Sequence, residues 1–106
     1  MTHVTFYPKQ HRIRVEGHAG AARKGEDLVC AAASILGWTL ITAADEFNLH
    51  LHLDELEGIM DIQCKPDRGE EPLCRYLYEV IAGGFELLAD RNPDYVLMEE
   101  KDDGDE

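Results

Sequence analysis

DLVCAAASILGWTLITAA, residues 27–44, carries no charge after its opening aspartate, and that single property constrains the whole fold. Its length suits a helix better than a strand. A helix that is apolar on nearly every side must be covered on nearly every side. A sheet is therefore expected on one flank and a partner chain on another. Its apolar run falls short of the ~20 residues that cross a bilayer, so no membrane span is expected. Asp27 suits the N-cap, where its carboxylate accepts hydrogen bonds from the free amides of the first turn. Cys30 then falls in that turn.

Upstream of this helix, Val4 and Phe6 alternate with Thr5 and Tyr7. After "PKQH", Ile13 and Val15 alternate with Arg12, Arg14 and Glu16, so two strands are expected. Downstream, Leu49, Leu51 and Leu53 alternate with His50 and His52, and Met60, Ile62 and Cys64 share one face beyond the turn "DELEG". These read as a third and a fourth strand. Pro72 suits the first turn of a second helix, in which Leu73, Leu77, Val80, Ile81, Gly84 and Leu88 recur at helical spacing. Gly83 and Gly84 weaken that helix by about 1 kcal/mol each relative to alanine, which suits close approach of a neighbouring element. "DRNPD" ends it, and Tyr95 to Met98 supply a short last strand. The expected fold is α+β, a small mixed sheet packed with two helices in the order β-β-α-β-β-α-β. One domain spans residues 1–98, followed by an acidic tail, 99–106, too poor in apolar residues to fold and expected to be disordered.

Charge and cysteine usage narrow the function classes. Of a formal charge of -12, the last eight residues, EEKDDGDE, contribute -5, and the rest of the chain is acidic as well. Phosphate-backbone binding needs clustered Lys and Arg, and no such cluster occurs, so direct nucleic-acid binding is not expected. A basic protein partner suits this charge, though solubility alone also explains it. The N-terminus, MTHVTFYPKQ, lacks the pattern of a secretory signal, which points to the cytoplasm. Three cysteines without a Cys-x-x-Cys pair argue against a disulfide framework and against a zinc knuckle. Cys64 and Cys74 read as packing residues. His50 and His52 share a strand face but lack a third ligand at convincing spacing, so no metal site is expected.

The chemistry concentrates in GHAGAARKGEDLVCAAAS, residues 17–34. At the start of a helix, the backbone dipoles favour a thiolate over a thiol at Cys30. A cysteine nucleophile also needs a base within hydrogen-bond reach, and His18, at the end of the second strand, leads into the loop that delivers the chain to Cys30. That loop, "GAARKG", has the composition of a flap or of an ordinary surface connection. Gly17 and Ala19 leave room for a substrate backbone beside His18. Cys30, Ser34 and Gly37 share one helical face, and Ser34 is placed to hydrogen-bond near the thiol or a substrate carbonyl. Strict alternation would put His18 on the face of Arg14 and Glu16, away from the helix. A bulge or bend at Gly17 is needed to bring it back. Without such a pairing, Cys30 is a small buried hydrophobe and His18 a solvated strand end.

This segment resembles the ribosomal-processing cysteine protease family, Prp or YsxB-like. The family pattern is Gly-His-Ala, a loop, then Gly-x-Asp-x-Val-Cys-Ala and a serine four residues after the cysteine. Here those positions are Gly17, His18, Ala19, Gly25, Asp27, Val29, Cys30, Ala31 and Ser34. The resemblance implies that Cys30 is the nucleophile and His18 the general base, with Asp27 and Ser34 in supporting roles and no metal or cofactor. It also implies a cytoplasmic homodimer whose loop closes over substrate. The implied substrate is a large-subunit ribosomal protein bearing a short N-terminal extension, or a virion protein for phage relatives. The acidic tail departs from the family pattern. The competing reading is a catalytically idle dimeric module that binds a basic ribosomal or virion protein.

Overall fold

The computed structural model describes residues 1–17 and 27–101. Two strands, β1 (Thr2–Tyr7) and β2 (Arg12–Glu16), flank a single 3-10 turn at Pro8–Gln10. Helix α1 (Leu28–Glu46) follows, then β3 (Leu51–Leu56), β4 (Ile59–Cys64), helix α2 (Glu71–Arg91) and β5 (Val96–Glu100). The five strands form one sheet in the order β3-β4-β2-β1-β5. All neighbours are antiparallel except β1 and β5, which run parallel because α2 crosses over between β4 and β5. The expected α+β fold and element order are what the molecule has.

Register and alternation make one sheet face apolar. Phe6, Ile13, Ile62 and Leu53 are successive cross-strand partners in one row, and Val4, Val15, Met60 and Glu55 form the next. Both helices cover this face. From α1 come Ala33, Gly37, Leu40 and Ala44, and from α2 Cys74, Tyr78, Ile81, Ala82 and Phe85. The opposite face carries a polar row in which Asp61 accepts hydrogen bonds from Arg12 Nε at 2.9 Å, Arg12 Nη2 at 2.7 Å and Arg14 Nη1 at 2.9 Å. Arg12 also stacks over the Tyr7 ring, 4.8 Å from its centroid. Burial pushes the Asp61 carboxyl up, but the hydrogen bonds from the two arginines outweigh it and hold the group below the usual carboxylate range.

Several expectations need correction. α1 is long and apolar enough to cross a membrane by length and composition, where no such run was expected. Ala33, Leu40 and Ala44 nevertheless join the hydrophobic core, while only 22% of the span is buried. In α2 the buried stripe is rotated from the expected one. Leu73 and Val80 face outward, while Tyr78 is buried and donates its hydroxyl hydrogen to Ile62 O at 3.1 Å. Gly84, not Gly83, is the site of close approach: a Cβ there would lie 2.7 Å from Leu36 Cδ2 of α1, whereas nothing lies near Gly83. The last strand runs to Glu100, and Lys101 N donates to Phe6 O at 2.8 Å, so pairing continues past residue 98 into the acidic segment. Residues 102–106 lie outside the described residues.

Candidate active site

The start of α1 is fixed by its cap. Asp27 has extended backbone angles and its Oδ1 accepts from Cys30 N at 3.0 Å, while Asp27 O accepts from Ala31 N at 3.0 Å. Those bonds fix the backbone on both sides of the Cys30 side chain, which is half-buried. Gly17 ends β2 with φ +86°, a conformation that L side chains rarely adopt, and its N–H donates to Gly58 O at 2.7 Å. A Cβ on Gly17 would sit 2.5 Å from Met1 O, so glycine is required there for space as well as for angle. The strand's alternation therefore stops at Gly17, the position at which a pairing of His18 with Cys30 calls for a bend.

Cys30 and Gly17 line one cleft of about 160 Å³. Ala33 and Ser34 continue the α1 wall, Thr2 and Val15 come from β1 and β2, and the β3–β4 hairpin closes the far side with Met60 among others. The hairpin turn, Glu57-Gly58, is two residues long with Gly58 at φ +79°. Gly58 O is the acceptor that ties this turn to Gly17. Among the described lining residues the walls are apolar except for Thr2, Ser34 and Glu55, and of these Glu55 alone carries charge. Thr2 Oγ1 is buried and finds no hydrogen-bond partner among the described residues.

Of the residues singled out from sequence, the structure brings together Gly17, Asp27, Cys30 and Ser34 at this cleft or its edge. His18 and Ala19 lie outside the described residues, as does the loop 20–25. Thr2, Glu55 and Met60 were not foreseen. Their places follow from strand pairing and from the Gly17–Gly58 bond, and a local sequence pattern reports neither. Cys64 and Cys74 are buried in the core, where burial pushes both thiols up. His50 and His52 join no cluster of three metal-binding side chains among the described residues, and His52 Nε2 lies 3.3 Å from Asp54 Oδ2.

A family model described as cysteine protease Prp matches residues 1–97. The chain belongs to this family. It is a cysteine protease, a hydrolase whose chemistry rests on a thiol. Solved structures share the Prp fold. The ribosomal processing protease Prp from Staphylococcus aureus, in complex with a covalently linked product peptide, superposes with a TM-score of 0.79 at 15% identity, over 94% of this chain and 97% of that one. The same protease with a substrate peptide gives a TM-score of 0.73 at 13% identity, over 94% and 97% of the two chains. SMU.848 from Streptococcus mutans gives 0.70 at 23% identity, over 96% and 93%. At these identities the likeness is one of fold. No curated protein matches the chain.

Proposed function

We propose that this Prp-family protease is an endopeptidase that removes a short N-terminal extension from a large-subunit ribosomal protein, with Cys30 as nucleophile and His18 as base. The observation that carries the assignment is the shared cleft. Cys30 opens into it from the capped start of α1, Gly17 lines the other side, and His18 is the next residue in the chain. In the reaction, His18 takes the thiol proton and the Cys30 sulfur adds to the scissile carbonyl, forming a C–S bond. Collapse of the tetrahedral intermediate breaks the C–N bond as His18 returns the proton to the leaving amine. Water then cleaves the thioester and restores the thiol. Backbone N–H groups in the first turn of α1 are candidates to stabilise the oxyanion, and Asp27 and Ser34 serve as supporting residues. Gly17 and Ala19 leave space for the substrate backbone.

The Cys30→Ala and His18→Ala variants should each lose cleavage of an extended ribosomal protein precursor while keeping the wild-type fold by circular dichroism. Product ends read by mass spectrometry identify the bond cut, and cleavage retained by either variant rejects the assignment. A virion protein in a parallel incubation tests the phage substrate. Failure of the wild type to cut either protein rejects both as substrates.

The working unit is a cytoplasmic homodimer. This reading is supported by apolar side chains that the single chain leaves uncovered on α1 and at its C-cap: Leu28 is 82% exposed, Ile35 65% and the capping Phe47 52%. A surface of this kind is what a partner helix buries. Ile35→Glu should shift the protein to monomer in sedimentation velocity, and a wild type that already sediments as a monomer excludes the dimer.

A further inference from the structure

We propose that Met60 determines which peptide side chain fits beside Cys30, and that Gly37 of α1 keeps Met60 seated. This inference rests on Cys30 as the nucleophile. Met60 lies within β4, opposite Val15 in register, and lines the same cleft as Cys30, Ala33 and Ser34. Behind it, a Cβ built on Gly37 would stand 2.5 Å from Met60 Sδ and 3.5 Å from Met60 Cε, with Ile62 Cδ1 at 3.8 Å. The thioether therefore occupies the space that a side chain at position 37 would claim.

Glycine within a helix is destabilising by about 1 kcal/mol relative to alanine. At position 37 that penalty is offset by room for a long, flexible neighbour. Met60 is unbranched and can turn about three bonds, so anything added at Gly37 displaces its end. Ile62 occupies the adjoining core, and the open volume next to Met60 is the cleft itself. Displacement shortens the space left for substrate, and truncation of Met60 deepens it. Val15, Ala33 and Ile59 wall this part of the cleft without charge, while Glu55, the partner of Met60 across β3, is its charged edge, so the permitted size of the side chain received here depends on the position of Met60.

The test alkylates Cys30 with the chloromethyl ketones of acetylated alanine, leucine and phenylalanine; the sulfur displaces chloride and forms a thioether. Iodoacetamide, which brings no amino-acid side chain, serves as the control. Met60→Ala should raise the phenylalanine-to-alanine rate ratio about tenfold, the scale of a change of a methylene or more in an apolar pocket. Gly37→Ala should lower it by a similar factor, and the Gly37→Ala/Met60→Ala double variant should recover it, each rate being normalised to that variant's own iodoacetamide rate. Unchanged ratios in both single variants would overturn the proposal. If Gly37→Ala does not fold, the Met60→Ala ratio decides alone. Peptide mapping that places the label elsewhere than Cys30 rejects the nucleophile assignment instead.

Discussion

Thr2 shows how a single residue can serve a cleft and weaken a fold. Its hydroxyl is buried with no partner among the described residues, and an unsatisfied buried hydroxyl costs about 1–3 kcal/mol. Valine has nearly the same shape without that oxygen, so Thr2→Val should stabilise the protein by about 1 kcal/mol. Urea unfolding measures this, and a loss of stability would show that the hydroxyl is satisfied after all. At the same scale, a bend at Gly17 was only a condition for pairing His18 with Cys30, and the sequence did not show one. That the bend takes the form of a positive φ crowded by Met1 O depends on β1 lying alongside, which no local pattern announces.

Elements carry the next layer of meaning. The cap on α1 could be read directly, since an aspartate three residues before a first-turn cysteine is placed to accept its amide hydrogen. The 3.0 Å bond from Cys30 N to Asp27 Oδ1 is that cap. Asp27→Ala should cost about 1 kcal/mol of stability, and Asp27→Asn only a small part of it. Equal losses in chemical denaturation would mean that the carboxylate's charge, not its capping oxygen, is what matters. α2 was less legible. Leu73 and Val80 fit a helical repeat as well as Cys74 and Tyr78 do, and the choice between two overlapping stripes was made by the sheet beneath. A buried tyrosine won because its hydroxyl reaches Ile62 O while its ring fills the core.

At the scale of the whole molecule, the sheet has a polar outer face centred on Asp61, and this couples stability to pH. A carboxyl held low by Arg12 and Arg14 contributes stability that is complete above its unfolded pKa of about 3.9 and is lost as pH falls through the folded value. Asp61→Asn should therefore cost about 2 kcal/mol near neutrality, typical of a hydrogen-bonded charged group. The gap to wild type should narrow below about pH 4. Urea melts from neutral to acid pH check both, and a constant gap would assign the loss to packing. Local chemistry in the chain determined the elements, their order, the cap and the cysteine at the head of an apolar helix, because alternation, helical spacing and capping act over a few residues. Only tertiary structure decided that β3 and β4 wall the cleft, that Met60 rests on Gly37, and that α1 keeps an uncovered apolar side. Those facts arise from registers and contacts between segments far apart in sequence, whose energies no single segment contains.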